Sequence, residues 1–277
     1  MSTTLRGKTL FVTGGSRGIG LAIAVRAAAD GANVVLVAKT VEPDPRLPGT
    51  LASAAEAVEA AGGRALAVPT DIRDETAVAA AVQAAVDRFG GIDILVNNAS
   101  AIGLTPTAAT PMKRFDLMFG VNVRGTFACT QACLPALTAS AKAGRGPHVL
   151  NMGPPLSMKP HWFRNHTAYS MAKYGMSMCT LGHAAEFAPL GIAVNSLWPR
   201  TAIATAALQM IPGVDTNKCR RPEILADAAH FILTSDTSVS GNFFIDDEVL
   251  VAHGVTDLDR YAVVPGTKDL IPDFFVD

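Results

Sequence analysis

The sequence predicts an α/β protein in which one doubly wound parallel sheet of about seven strands carries helices on both faces. Two observations predict it. Short, almost continuously apolar runs alternate with longer Ala-rich segments of helical period, and a glycine-rich turn stands between the first apolar run and the first helical segment.

In order, Thr9 to Val12 predicts a strand, Gly18 to Asp30 a helix and Val34 to Ala38 a second strand. Leu51 to Ala61 follows as a helix, Ala65 to Val68 as a strand, Asp74 to Phe89 as a helix and Ile92 to Val96 as a strand. In the third helix Val78, Val82, Val86 and Phe89 fall on one stripe, the spacing of a helix packed on a sheet. The second half repeats the alternation with a helix at Phe115 to Ser140, a strand at His148 to Met152, a helix at Thr167 to Phe187 and a strand at Ile192 to Leu197. A helix at Ile224 to Thr234 and a strand at Asn242 to Ile245 complete the set. Thr40 to Gly49, Gly153 to His166 and Asp257 to Asp277 break the rhythm, and loops beyond the carboxyl ends of strands are where such sheets bind ligands. No Ser/Gly/Pro linker divides the chain, so one domain over 1–277 is expected, with 246–277 as its C-terminal tail.

Composition narrows the function classes. At 277 residues and 49% hydrophobic, the chain can bury a large core without disulfides. Twenty-three basic and 24 acidic residues leave a net charge of -1, too small a field to draw in nucleic acid or an anionic membrane. Cys129, Cys133, Cys179 and Cys219 lack CxxC spacing, and the pair one helical turn apart reads as small core residues, so no metal is expected. With no signal-like start and no apolar run of roughly 18 to 20 residues, a soluble protein of a reducing, cytoplasmic compartment is expected.

After the first strand comes Thr13-Gly14-Gly15-Ser16-Arg17-Gly18-Ile19-Gly20. Glycines at 14, 18 and 20 let the backbone turn and approach a pyrophosphate, while the following helix offers unpaired N–H groups and partial positive charge. That strand-loop-helix context predicts a dinucleotide, and a Rossmann-type sheet to hold it. Where an acid would hold a ribose 2′-hydroxyl, the chain has Ala38-Lys39-Thr40. Lys39 and Arg17 together clamp a 2′-phosphate in this reading, at roughly 1.5–3 kcal/mol per charge-assisted contact, which predicts NADP(H).

Further segments follow in a recognisable order: Asp71-Ile72 after the third strand, Asn97-Asn98-Ala99-Ser100 ending the fourth, Asn122 in Val121-Asn122-Val123, and Tyr169-Ser170-Met171-Ala172-Lys173. With the glycine loop, these resemble the short-chain dehydrogenase/reductase family over residues of about 7 to 245. The segments Ala38-Lys39-Thr40, Ala168 to Met178 and Leu197-Trp198-Pro199 and the ending Pro272-Asp273-Phe274-Phe275 resemble one subgroup of that family, whose members can carry an appended sterol-carrier domain.

The resemblance implies roles. Gly14, Ser16, Arg17, Gly18, Ile19, Gly20, Lys39, Asp71, Ile72, Asn98, Ala99 and Ser100 would line the dinucleotide, with Asp71 at the adenine. Pro199, Thr201, Ile203 and Thr205 would meet its carboxamide and pyrophosphate. Tyr169 and Lys173, four apart on a helix, share one face, and an ammonium beside a phenol favours phenolate and is expected to lower the phenol's pKa from its ordinary value of about 10 toward the working range. Tyr169 then moves the proton, Lys173 also holds the ribose, and Asn122 anchors a water that extends the relay. The family's substrate-binding serine is missing: the strand end reads Met152-Gly153-Pro154. Ser157 either replaces it or is a solvated loop serine, and Arg200, where the family usually has glycine, either reaches a phosphate or faces solvent. Trp162 and Phe163 are expected to wall an apolar pocket, with His161, Arg164 and His166 adding polar contacts.

The expected activity is NADP(H)-dependent interconversion of an alcohol and a carbonyl on a fairly apolar small molecule, lipid-derived compounds among the candidates. The alternative is a low-activity NADP(H)-binding regulatory or scaffold protein on the same fold. The resemblance also implies a homo-oligomer, tetramer or dimer, assembled through the two long central helices.

Overall fold

The computed structural model describes residues 4–44, 47–211 and 213–276. Part of the Pro-rich segment expected at Thr40 to Gly49, namely Pro45 and Arg46, lies outside the described residues, as does the terminal Asp277.

Seven strands form one sheet of order β3-β2-β1-β4-β5-β6-β7, every pairing parallel. They are β1 (Thr9–Thr13), β2 (Asn33–Ala38), β3 (Arg64–Pro69), β4 (Ile94–Asn97), β5 (His148–Asn151), β6 (Ala193–Trp198) and β7 (Phe243–Ile245). The helices are α1 (Gly18–Ala29), α2 (Leu51–Ala60), α3 (Glu75–Phe89), α4 (Met112–Met118), α5 (Thr126–Lys142), α6 (Thr167–Phe187), α7 (Ala206–Gln209), α8 (Glu223–Leu233) and α9 (Asp246–Ala252). The Rossmann-type sheet expected from the alternation is therefore present. Strand order reverses between β1 and β4, and there the loops at the strands' carboxyl ends diverge to leave a crevice.

Side-chain alternation splits the core into two layers. Along β1, Leu10 and Val12 join one cluster with Ile23, Val58 and Leu225 under α1, α2 and α8. Phe11 points the other way and joins Val78, Leu137 and Val194 under α3 and α5. Both faces are apolar, which is why the strands read as unbroken apolar runs. A polar line crosses this core at the strand ends: Asn97 donates to Thr130 and Asn151, Asn151 to Thr180, and Thr180 meets Ser196 at 2.7 Å. All five are fully or almost fully buried, and the line ties β4, β5 and β6 together beneath the crevice.

Three elements differ from expectation. The buried stripe of α3 is Val78, Ala81 and Ala85, while Val82, Val86 and Phe89 sit at its edge; alanines let the helix lie closer to the core than the larger residues would. The single helix expected at Phe115 to Ser140 begins at Met112, ends at Lys142 and contains a π-helical stretch, Phe119–Gly125. Within the segment expected as tail, α9 forms over Asp246–Ala252; its acidic first turn, Asp246, Asp247 and Glu248, suits the positive end of the helix dipole. No helix of the described residues is long and apolar enough to cross a membrane.

Candidate active site

The glycine loop is held from behind by Asn98. Thr13 Oγ1 accepts from the amides of Asn98 and Ala99 at 3.0 and 3.1 Å, while Asn98 Nδ2 donates back to the carbonyls of Thr13 and Gly14. A Cβ on Gly20 would lie 2.5 Å from Asn98 Nδ2 and 2.6 Å from the Gly14 carbonyl, and Gly14 itself has a φ of +65°. Close packing and left-handed backbone thus explain these two glycines. No side chain caps α1, which leaves its first N–H groups available to a ligand.

A cleft of about 490 Å³ runs over this loop, lined by Ser16, Arg17, Lys39, Asp71, Ile72 and Ala99 among others. The structure thus brings the loop, Lys39 and the Asp71-Ile72 segment to one groove. Arg17 donates to the Gly49 carbonyl at 2.6 Å, leaving its Nε buried and, among the described residues, without a partner. Lys39 lies 3.2 Å from Asp71, which is also gripped by Arg73 at 2.5 Å. The Arg73 guanidinium holds the Asp71 carboxyl well below the usual range, with Lys39 adding to the effect.

A second cavity, of about 210 Å³, adjoins the first: Ile19, Asn98, Ser100, Thr205 and Ala207 line both. Its far end holds Tyr169 and Lys173, with Ile102, Met152, Trp198, Pro199, Ile203, Leu208, Ile211, Asp273 and Phe274 around them. Helix α6 positions the pair, as the four-residue spacing predicts. Lys173 Nζ donates to the Met152 carbonyl at 2.9 Å and lies 5.0 Å above the Trp198 ring. Burial pulls its ammonium down to about 8, opposed by Asp273. Tyr169 differs from expectation. Burial, reinforced by Asp273, pushes its phenol above the ordinary value, because desolvation outweighs any help from the neighbouring ammonium. A neutral phenol is suited to giving a proton.

Asn122 is fully buried in the π-helical stretch, and both ends of its carboxamide are spent on Ala101, accepting from its N–H at 2.8 Å and donating to its carbonyl at 3.0 Å. Its side chain pins the loop after β4 from within the π-helical turn.

Other expected residues lie elsewhere. Ser157 is absent from the cavity; its hydroxyl accepts from the Lys159 amide at 3.4 Å, and its carbonyl takes the Tyr174 hydroxyl. The loop after β5 thus places the Ser157 hydroxyl off the cavity that holds Tyr169. Thr201 is buried with its hydroxyl unpartnered among the described residues and does not line the cavity. Thr205 lines it but caps α7 with its hydroxyl. Arg200 is spent on Asp247 at 2.6 Å and on Glu248, so it braces α9. Trp162 and Phe163 do not wall the cavity; they pack against Phe275 and Tyr174 at 5.9 and 5.3 Å. His166 is likewise packed, against Phe274 at 4.8 Å, with Nδ1 on Ser170.

The apolar wall instead comes from Trp198 on β6 and Phe274 in the C-terminal segment, and Asp273 is a polar lining residue that sequence reasoning missed. Only the lack of helical or strand period in a segment holding two adjacent aromatics hinted at it. Among the described residues no group of His, Cys, Asp and Glu could hold a metal ion.

These residues fit a nicotinamide dinucleotide: a glycine cradle that any Cβ would fill, an uncapped helix start, a buried guanidine nitrogen without a partner, and an adjoining cavity ending at Tyr169. Comparisons with known proteins agree. A family model described as short chain dehydrogenase matches residues 8–212. The hydroxysteroid dehydrogenase-like protein 2 of Danio rerio is 57% identical over 274 residues, covering 99% of this chain but 65% of the relative, so the chain spans just under two thirds of that protein's length. A crystal structure of a Xanthomonas campestris protein is 60% identical, with a TM-score of 0.95 and 99% of each chain covered. At 25% identity and a TM-score of 0.72, a short chain dehydrogenase from Mycobacterium paratuberculosis, solved bound to NAD, covers 87% of this chain and is itself covered over 97%. Sheet order, glycine loop, the Tyr169–Lys173 pair and the match over residues 8–212 agree: this chain belongs to the short-chain dehydrogenase family.

Proposed function

We propose that this chain is an NADP(H)-preferring oxidoreductase that interconverts an alcohol and a carbonyl on a fairly apolar small molecule. The observation that carries the reading is the continuity of two cavities, one over the glycine loop and one ending at Tyr169 and Lys173. A bound nicotinamide dinucleotide supplies hydride transfer there. The chain's own residues do the rest. The α1 start and glycine loop receive the phosphates, Lys173 holds the ribose, and Tyr169 passes its proton to the substrate oxygen. Lys39 and Arg17, the cations at the far end of the groove, favour a 2′-phosphate, although Asp71 shares Lys39. Ile102, Trp198, Ile203, Leu208, Ile211 and Phe274 select an apolar substrate, lipid-derived carbonyls included, by excluding water from its flanks. Exposed Phe127 on α5 and Met171, Met178 and Leu181 on α6 supply a surface for a homo-oligomer.

One observation favours the alternative of a low-activity NADP(H)-binding scaffold. Pro154 stands where the family has its serine, and Ser157 is turned away. The test follows loss of the reduced-nicotinamide absorbance with linear aldehydes, methyl ketones and cyclic ketones, for NADPH and NADH, with Tyr169→Phe as control. Turnover abolished in the control supports the enzyme; saturable dinucleotide binding without turnover supports the scaffold.

A further inference from the structure

The residues so far leave the substrate oxygen with one partner, the Tyr169 phenol. Of the other polar side chains lining the cavity, Asn98 spends its amide on the glycine loop, Thr205 caps α7, Lys173 donates to Met152, and Ser100 lies at the end shared with the dinucleotide groove. Asp273 remains.

Its position is fixed from both sides. The Ile271 amide donates to the Lys218 carbonyl at 2.9 Å and its carbonyl accepts from Ala202 at 2.8 Å; the Asp273 amide donates to the Arg200 carbonyl at 2.9 Å. Trp198 Nε1 donates to the Phe274 carbonyl at 2.8 Å, and Phe275 is 2% exposed in the aromatic cluster behind Tyr169. One carboxyl oxygen of Asp273 accepts from the Phe274 amide at 2.7 Å; among the described residues the other accepts no hydrogen bond.

Resting on the oxidoreductase reading above, we propose that Asp273 is a catalytic residue, whose protonated carboxyl donates to the substrate oxygen the hydrogen bond that the family's serine would give. A carboxylate there would repel an oxygen gaining negative charge, whereas a carboxylic acid stabilises it, so protonation decides the role. The charged or titratable groups around it are Lys173 and Tyr169 from α6, Asp246 from α9 and Cys219 from the segment before α8. Burial and, more weakly, Asp246 favour the acid form, the Phe274 amide and Lys173 oppose it, and the carboxyl is pushed up to about 7. In carbonyl reduction the new C–H bond takes its electron pair from the nicotinamide hydride, and the C=O π pair moves onto oxygen. Tyr169 gives its proton to that oxygen and regains one from solvent, while Asp273 keeps its own proton throughout.

The test compares wild type, Asp273→Ala and Asp273→Asn, with cyclohexanone and linear methyl ketones as probes. Asp273→Ala is expected to lose about 100- to 1,000-fold in kcat. Asp273→Asn, which keeps an N–H donor, is expected to stay within about 10-fold and to lose the fall in kcat that wild type shows as pH rises through about 7. Difference infrared spectra, independent of turnover, should show a protonated-carboxyl band appearing as pH falls through about 7 in wild type and lost in Asp273→Asn, where only the Asp246 carboxyl, pushed up to about 6, still protonates at lower pH. Unchanged Trp198 emission and dinucleotide Kd confirm that the segment stays docked. Wild-type turnover with an unimpaired Asp273→Ala, or absence of the acid band, overturns the proposal alone. Dinucleotide binding with no wild-type turnover overturns the oxidoreductase reading and this role with it.

Discussion

Asn98 donates its side-chain amide to the Gly14 carbonyl at 3.1 Å, so the end of β4 holds the glycine loop in shape. Gly20 lies on the other side of the same contact, where an added Cβ would come within 2.5 Å of that amide nitrogen. Gly20→Ala therefore displaces Asn98 and opens the loop. Losing one charge-assisted contact of about 1.5–3 kcal/mol corresponds to about a 10- to 100-fold rise in dinucleotide Kd. Fluorescence titration with NADPH checks it, and an unchanged Kd would show that the loop does not hold the phosphates.

Cofactor preference turns on the pair Lys39 and Asp71, 3.2 Å apart with the Lys39 side chain 62% exposed. An exposed cation can swing from Asp71 to a 2′-phosphate at little cost. Lys39→Ala is expected to weaken NADPH by about 10-fold while leaving NADH unchanged. Equal losses for both dinucleotides would remove the case for NADP(H).

Much of this was legible in the sequence, because parallel strands buried on both faces leave unbroken apolar runs and a glycine loop leaves a fixed spacing. The bounds of α6, and with them the placing of Tyr169 and Lys173, followed from helical period alone. What stayed hidden depends on contacts distant along the chain. Nothing local says that Asp273 returns to a cavity built by residues 19 to 211, or that burial raises the Tyr169 phenol despite Lys173. Trp162 and Phe163 misled for the complementary reason: aromatics near a catalytic motif look the same in sequence whether they line a cavity or fill the cluster behind it.

Stability should depend on acid through Asp30, which accepts from the Leu5 amide at 2.7 Å and from Arg26 at 3.1 Å and lies 2.8 Å from His230 Nε2. Although burial opposes it, the Leu5, His230 and Arg26 hydrogen bonds together hold the Asp30 carboxyl down at about 2, against 3.8 when unperturbed. A depressed value means that its contribution is complete above pH of about 4 and disappears as pH falls toward 2. Allowing for partial exposure, that contribution is about 1–2 kcal/mol. Urea unfolding of Asp30→Asn should show that deficit at neutral pH and none near pH 2; a constant deficit would refute the assignment.

Phe127, Met178 and Leu181 leave an apolar surface on α5 and α6, with exposures of 51%, 61% and 48%. Sedimentation velocity is expected to show a dimer or tetramer for wild type and a monomer for the double variant Met178→Glu and Leu181→Glu, since buried unpaired carboxylates are costly at an interface. A monomeric wild type would assign this surface elsewhere.

Phe275 anchors the C-terminal segment. Its ring lies 5.2 Å from Tyr174, 5.8 Å from Trp198 and 6.3 Å from Tyr169, while its φ of +70° is one that non-glycine residues avoid at a cost of about 1–2 kcal/mol. Burial of the ring must outweigh that strain, so truncating it leaves strain with nothing to offset it. Phe275→Ala costs about 3–5 kcal/mol of local packing. With the ring gone, chiefly the exchangeable backbone hydrogen bonds of Ile271 and Asp273 and the Trp198 contact hold the segment, so the loss should undock it and leave the sheet folded. Trp198 emission is then expected to shift to the red as Nε1 loses the Phe274 carbonyl and meets water. Ketone turnover should fall with it, since Asp273 and Phe274 leave the cavity, but NADPH affinity should hold because the glycine loop is braced by Asn98 and the β2 carbonyl of Val37 and not by this segment. Phe275→Leu, which keeps most of the buried volume, should restore both signals. Global unfolding of Phe275→Ala in urea at wild-type cooperativity with no separate loss of turnover would show that the segment folds with the core and is no independent wall.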